Sequence, residues 1–154
     1  MPLETVDREK LNDLLRRFQG RKVLVVGDLI VSRFVEVAAR KLAREAPVPA
    51  GDYIGETFLP GGGANLSREL ASLGASVELV GLVGADEYGT WLKSEFAKHG
   101  IGCDGVVTDA SRPTPLRTWI MVNTFHMLRI DREDRRDAPP VLAKKLLAAA
   151  VPAV

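Results

Sequence analysis

Two parts of this sequence carry residues of the right type and spacing for chemistry. One is Asp28, which closes an apolar run; the other is the stretch Leu59-Pro60-Gly61-Gly62-Gly63-Ala64-Asn65-Leu66-Ser67. Three glycines after a proline suit neither a helix interior nor a central strand. Glycine is most useful where the backbone needs φ > 0 or where a ligand must approach the main chain closely. Leu66, Leu70 and Leu73 then recur at helical spacing and stop at Gly74, which predicts a helix opening at the glycines. A glycine-rich turn at that point gathers unpaired N–H groups and the positive end of the helix dipole. Anions or hydroxyl oxygens can bind there, and the Asn65 side chain can both donate and accept hydrogen bonds. An ordinary loop with an Asn cap fits the same residues equally well. Asp28 also has two readings. It can stand at the carboxyl end of a strand, where open α/β sheets bind ligands, or it can be a turn or cap residue.

The elements that would position these residues follow from periodicity. From about Thr5 to Phe18, Leu11, Leu14, Leu15 and Phe18 share a face, with acidic residues early and Arg16 and Arg17 late, an amphipathic helix matched to its dipole. Lys22-Val23-Leu24-Val25-Val26 reads as a buried parallel strand delivering Asp28. Ile30 to Phe58 reads as strands leaving the main sheet for a small flap, confined to an edge by Pro47 and Pro49. Ala75 to Gly84 is a second buried strand, Asp86 to about Lys98 a helix, and Cys103 to Val107 a short third strand. That rhythm argues for right-handed βαβ units. Arg117–Val122 and Phe125–Asp131 read as a hairpin around Asn123-Thr124 that pairs with the earlier flap. Asp131 to Asp137 reads as a solvated charged loop. Pro140 opens a helix to Ala150, and a fourth strand is expected from Val151.

Composition narrows the partners. With 154 residues, 46% hydrophobic and 27% charged, the chain suits one globular domain with a real core. Twenty-one basic residues against 20 acidic ones leave a net charge of +1, so no global charge favours nucleic acid or a membrane surface. The single cysteine, Cys103, rules out an internal disulfide framework, and two histidines argue against a zinc cluster. No apolar signal core or membrane-length run is present, so a cytoplasmic location is expected.

Together the motifs resemble the N-terminal half of a PfkB/ribokinase-family sugar kinase. The run from Gly61 to Ser67, then six residues to Gly74 and nine to Gly84, is similar to that family's first signature. Val25-Val26-Gly27-Asp28, Arg44-Glu45-Ala46-Pro47-Val48-Pro49 and Leu128-Arg129-Ile130-Asp131-Arg132-Glu133 resemble its heptose 7-phosphate kinase branch. The resemblance implies a ribokinase-like α/β fold, here the N-terminal portion of a mostly parallel sheet flanked by helices. A small β-lid (about 31–58 and 114–131) would cover a sugar-phosphate site, and lid-mediated dimers are common in the family. It also implies roles: Asn65 for sugar hydroxyls, the Gly61, Gly62 and Gly63 backbone beside the substrate, and Asp28 as the acidic residue ending the first strand. Arg117 would take a substrate phosphate. Arg129 is either a second such group or an exposed strand arginine.

Two departures bear on activity. Where the family usually carries an Asp four residues after Asp28, this chain has Ser32. A hydroxyl forms some of the same bonds without charge, and charge-assisted bonds are worth roughly 1.5–3 kcal/mol each, so sugar affinity should fall about tenfold or more. The family's catalytic Gly-x-Gly-Asp signature and its ATP-binding loops belong to a half not in this sequence, and no Gly-x-x-x-x-Gly-Lys-Ser/Thr phosphate loop occurs. The intact family uses ATP and Mg. This chain alone is expected to bind neither, to supply no catalytic residue or metal site, and to be inactive by itself. Two functions fit these expectations: the substrate-binding and lid half of a heptose 7-phosphate-like kinase, or a non-catalytic sugar-binding or oligomerisation module derived from one. Either is expected to self-associate through the lid or an exposed sheet edge.

Overall fold

The computed structural model describes residues 7–151. The elements run α1 (Arg8–Phe18), β1 (Lys22–Val26), β2 (Leu29–Leu42), β3 (Pro49–Gly62), α2 (Gly63–Ser72) and β4 (Ser76–Gly84). They continue with α3 (Glu87–Lys98), β5 (Gly102–Asp109), β6 (Leu116–Val122), β7 (Phe125–Arg132) and α4 (Pro140–Ala150). Two sheets result. One is parallel, in the order β1-β4-β5; the other has the order β3-β2-β6-β7. The first carries the α/β layers, and the second is the lid.

Each long periodic segment forms where the apolar pattern puts it. Val25, Val77, Leu79, Val83 and Val106 of the parallel sheet pack with Leu92 and Phe96 of α3 and Ala64 of α2 in one core. Asp86 caps α3 by accepting from the Gly89 amide at 2.9 Å. Asp7 caps α1 in the same way. The expected start of that helix at Thr5 lies outside the described residues, and α1 itself buries none of its residues. The β6–β7 hairpin turns at Asn123-Thr124, with Asn123 at φ 55°. Pro49 and Pro60 both fall on β3, an edge strand of the lid sheet, where a missing N–H costs no ladder bond.

The structure corrects several expectations. The glycine stretch is not a separate turn: Gly61 and Gly62 pair with Ile30 and Leu29 as the last residues of β3, and Gly63 is already helical. Leu66 does not face the core. It is 52% exposed; Ala64 and Ser67 are the buried residues of α2, and Leu70 and Ala71 pack beside them against the core. In β1 Val25 is buried, but Val26 is 61% exposed since nothing among the described residues covers that end. β5 is longer than expected and reaches Asp109. Of the charged run, Asp131 and Arg132 complete β7, while 133–137 form the mostly exposed loop expected, braced by the hydrogen bonds described below. Val151 caps α4, and the expected fourth strand falls on residues 152–154, outside the described ones.

Candidate functional site

The path of the chain at Gly27-Asp28 creates the site. Gly27 still donates to the carbonyl of Val80 at 3.1 Å, as a parallel strand residue would. One residue later Leu29 begins β2 in the other sheet. Asp28 therefore sits where the chain passes from sheet to lid, exposed at the carboxyl end of β1. It lines a cleft of about 570 Å³, together with Gly27, Ile30, Val83, Arg112 and Leu146.

The glycines close the back of this corner. Gly62 has φ +58°, and a Cβ there would stand 2.5 Å from the Asp28 carbonyl oxygen. The Gly63 amide donates to the same oxygen at 2.8 Å. The start of α2 is thus pressed against the Gly27-Asp28 backbone, and at Gly62 only a residue without a side chain permits that approach. Ser67, fully buried, donates its hydroxyl to the Gly63 carbonyl at 2.9 Å and fixes the first turn.

The lid supplies a second group of residues. Ser32 on β2 is the register partner of Arg117 on β6, which in turn is the partner of Asp131 on β7. Laterally paired residues project to one face of a sheet, so these three form a row. Ile30, two residues before Ser32, belongs to the same face and borders both the cleft and a small recess with Arg117 and Asp131. Gly61 leaves room for this row: a Cβ on it would lie 2.8 Å from Ser32 Oγ. Arg117 Nε is 3.4 Å from Asp131 Oδ1, and Arg129 Nη2 is 2.9 Å from Asp131 Oδ2. Arg129 also lies over the Trp119 ring, 5.5 Å from its centroid.

Of the residues singled out in the sequence, the structure brings the Gly62 and Gly63 main chain against the Asp28 carbonyl, and of these three only Asp28 borders the cleft. It gathers Ser32, Gly61, Arg117 and Arg129 on the adjoining lid face. Asn65 stands apart from both groups. Its Oδ1 accepts from Arg68 Nη2 at 3.0 Å, and it does not border the cleft.

Sequence reasoning missed the charged wall opposite Asp28. Arg112 donates from Nε to Asp109 at 2.7 Å, and from Nη1 and Nη2 to the carbonyls of Arg136 and Asp137 at 3.1 and 3.0 Å. Arg136 pairs with Asp134 and donates to the Ser111 carbonyl at 3.2 Å. Hydrogen bonds from the Ser111 hydroxyl and amide, aided by Arg112 and opposed by burial, hold the Asp109 carboxyl below its usual range. Hydrogen bonds from Arg136 hold Asp134 well below it. Arg112 and Arg136 are therefore already engaged, and they brace the segment after β7 against the end of β5. The only sequence signal for this was the density of charge between Asp131 and Asp137.

A third network roots the lid. Thr114, fully buried, donates to Asp86 Oδ1 at 2.6 Å and accepts from the Gly84 amide at 2.9 Å. Arg132, at the end of β7, reaches Asp86 at 3.4 Å and stacks on Tyr88 at 5.0 Å.

Comparison with known proteins places this geometry among relatives. The family model described as pfkB family carbohydrate kinase matches residues 21–147. The bifunctional protein HldE of Caulobacter vibrioides is 41% identical over 128 residues, covering 82% of this chain and 26% of that protein. The HldE of Azorhizobium caulinodans is 37% identical, covering 92% of this chain and 30% of its own length. The chain thus spans less than a third of these relatives. Among solved structures, ribokinase from Cryptococcus neoformans, in complex with ADP, superposes with a TM-score of 0.55 at 24% identity, over 73% of this chain and 34% of that one. Arabidopsis thaliana ribokinase, complexed with ribose and ATP, gives 0.58 at 21% identity, over 73% and 36%. At those identities the likeness establishes the ribokinase-like fold.

Proposed function

The chain belongs to the pfkB family of carbohydrate kinases, and on that premise we propose that it is the sugar-binding and lid part of an ATP-dependent kinase acting on a heptose 7-phosphate or a sugar phosphate of similar size. The observation that carries this reading is that Ile30 and Pro115 border both the cleft that Asp28 lines and the recess that Arg117 lines, with Ser32 the register partner of Arg117. Four residues of extended chain separate Asp28 from Ser32, on the order of 13 Å between Cα atoms. The Asp28 and Arg117 side chains shorten that gap to the scale of a phosphorylated sugar. A carboxylate at one end suits hydroxyls, and a guanidinium at the other suits a phosphate.

In this proposal Asp28 accepts from sugar hydroxyls, the Gly62–Gly63 main chain lies beside the ring, and Ser32 adds an uncharged contact. Arg117 takes the phosphate, with Arg129 next to it. The reaction of the whole kinase would move the γ-phosphate of ATP to the anomeric hydroxyl, in the cytoplasm. Phosphoryl transfer also needs a held γ-phosphate and positive charge on the developing transition state. Among the described residues no three acidic, His or Cys side chains converge where a metal could sit, and the arginines across the cleft are engaged with carboxylates and carbonyls. No chemical step through ATP or Mg is assigned to this chain.

Calorimetric titration with heptose 7-phosphate tests the reading. Saturable binding is expected, with affinity about tenfold or more lower in Asp28→Asn, given the worth of a hydrogen bond to a charged group. Absence of binding, or equal affinity in the variant, contradicts it.

A second reading, a self-associating module, draws on a separate feature. β7 is an edge strand, and Phe125, Met127, Leu128 and Ile130 on it are each more than half exposed. An apolar edge of this kind invites pairing with another copy. The two readings are compatible, because a lid can bind substrate on one face and pair along its edge.

A further inference from the structure

The row Ser32–Arg117–Asp131 contains an ion pair that is poorly made. Arg117 Nε approaches Asp131 Oδ1 to 3.4 Å, yet this nitrogen is buried and makes no hydrogen bond among the described residues. The other carboxylate oxygen is held properly, by Arg129 Nη2 at 2.9 Å. Two guanidinium groups on one face thus share one carboxylate, and the one nearer the cleft is left unsatisfied at Nε. A buried donor without a partner is unfavourable, and a guanidinium binds best through parallel bonds to two oxygens.

Space decides what can relieve this. The recess formed by Ile30, Pro115, Arg117 and Asp131 has only about 10 Å³ of room, at most one water molecule. A phosphate cannot enter beside Arg117 while the Asp131 carboxylate stays where it is. A phosphate in that place would offer three acceptor oxygens to both arginines, against the two that Asp131 offers with one misaligned. Asp131 is the last residue but one of β7, and its side chain keeps about a quarter of its surface open to solvent, which gives the carboxylate a way out.

We infer that Asp131 is an internal stand-in for the substrate phosphate: its carboxylate occupies the anion position between Arg117 and Arg129 and withdraws when a phosphate binds. This rests on the reading of Arg117 as the phosphate residue. In the empty lid the carboxylate keeps two like charges together; in the filled lid its displacement discriminates against weak anions. Asp131 is thus a gate on the site as well as a positioning residue for its arginines.

The test uses inorganic phosphate as the probe, titrated calorimetrically at fixed ionic strength into the wild-type chain, Asp131→Asn and Arg117→Gln. Asp131→Asn should bind phosphate about tenfold more tightly, since it removes both a competitor and a like charge. Arg117→Gln should lose most binding. If Asp131→Asn binds as well as or more weakly than wild type while Arg117→Gln still loses binding, the gate is overturned and the phosphate site stands. If Arg117→Gln binds like wild type, or no protein binds phosphate, the site reading falls and the gate with it. Should Asp131→Asn unfold, Asp131→Ser removes the same charge with a smaller side chain, and the same outcomes decide.

Discussion

The amide of Gly63 donates to the carbonyl oxygen of Asp28 at 2.8 Å, and this contact joins the two parts of the site. It ties the end of the first parallel strand to the start of α2 across the point where the chain enters the lid. Gly62, at φ +58°, makes the approach possible.

Gly62→Ala should therefore destabilise the protein by about 2 kcal/mol or more, because a backbone at φ 58°, ψ −134° is sparsely populated by residues with a Cβ and costs them about 1–3 kcal/mol. The new methyl would also meet the Asp28 carbonyl at 2.5 Å, and that backbone atom cannot move without opening the corner. Urea unfolding measures the loss. Gly100→Ala is the control, since it shares the positive φ but has nothing within 4 Å, and it should cost less.

The lid root gives a pH signature. Burial opposes ionisation of Asp86, but hydrogen bonds from the Thr114 hydroxyl and the Gly89 and Thr114 amides, with the charge of Arg132, outweigh it and lower the pKa below 3.8. A carboxyl depressed on folding adds stability above its unfolded pKa and loses it as pH falls through the folded value. Asp86→Asn should thus be less stable than wild type by about 1–3 kcal/mol near neutral pH. The gap should narrow below about pH 4. Unfolding curves across that range check the sign, and a gap that widens in acid contradicts it.

The apolar edge of the lid predicts association. Replacing Phe125 and Ile130, 70% and 51% exposed, with lysine places charge along β7, a device that natural edge strands use against pairing. The double variant should sediment as a smaller species than wild type at equal concentration. An unchanged distribution would show that association, if any, uses another surface.

Local signals made much of this fold legible. The helix from Glu87 announces itself by the Asp86 cap, the hairpin by Asn123-Thr124, and the edge position of β3 by its prolines. The pairing of the two flap segments was also readable, since both alternate and neither fits the parallel sheet. What stayed hidden depends on partners distant in sequence. Gly61 and Gly62 look like a turn in isolation, yet they complete a strand because Ile30 and Leu29 lie beside them. Leu66 has helical spacing, but it stays exposed while Ala64, Ser67, Leu70 and Ala71 make the inner side of α2. Arg112 bonds to carbonyls more than twenty residues away, so no window of sequence reveals that the charged segment after Asp131 forms a wall of the cleft. Asn65, the most suggestive residue by type, is bonded to Arg68, while Asp131, read as the start of a solvated loop, sits between the two lid arginines.

The most direct test of the central claim is an amide-resolved NMR titration of the isotopically labelled chain with heptose 7-phosphate. The sugar-cradle account predicts saturable shifts at Gly27, Asp28, Gly62 and Gly63 and along Ser32 and Arg117, with Gly20 and Gly100 unmoved. Saturation with no shift at Asp28 or the Gly62–Gly63 junction, or shifts confined to other elements, would contradict it.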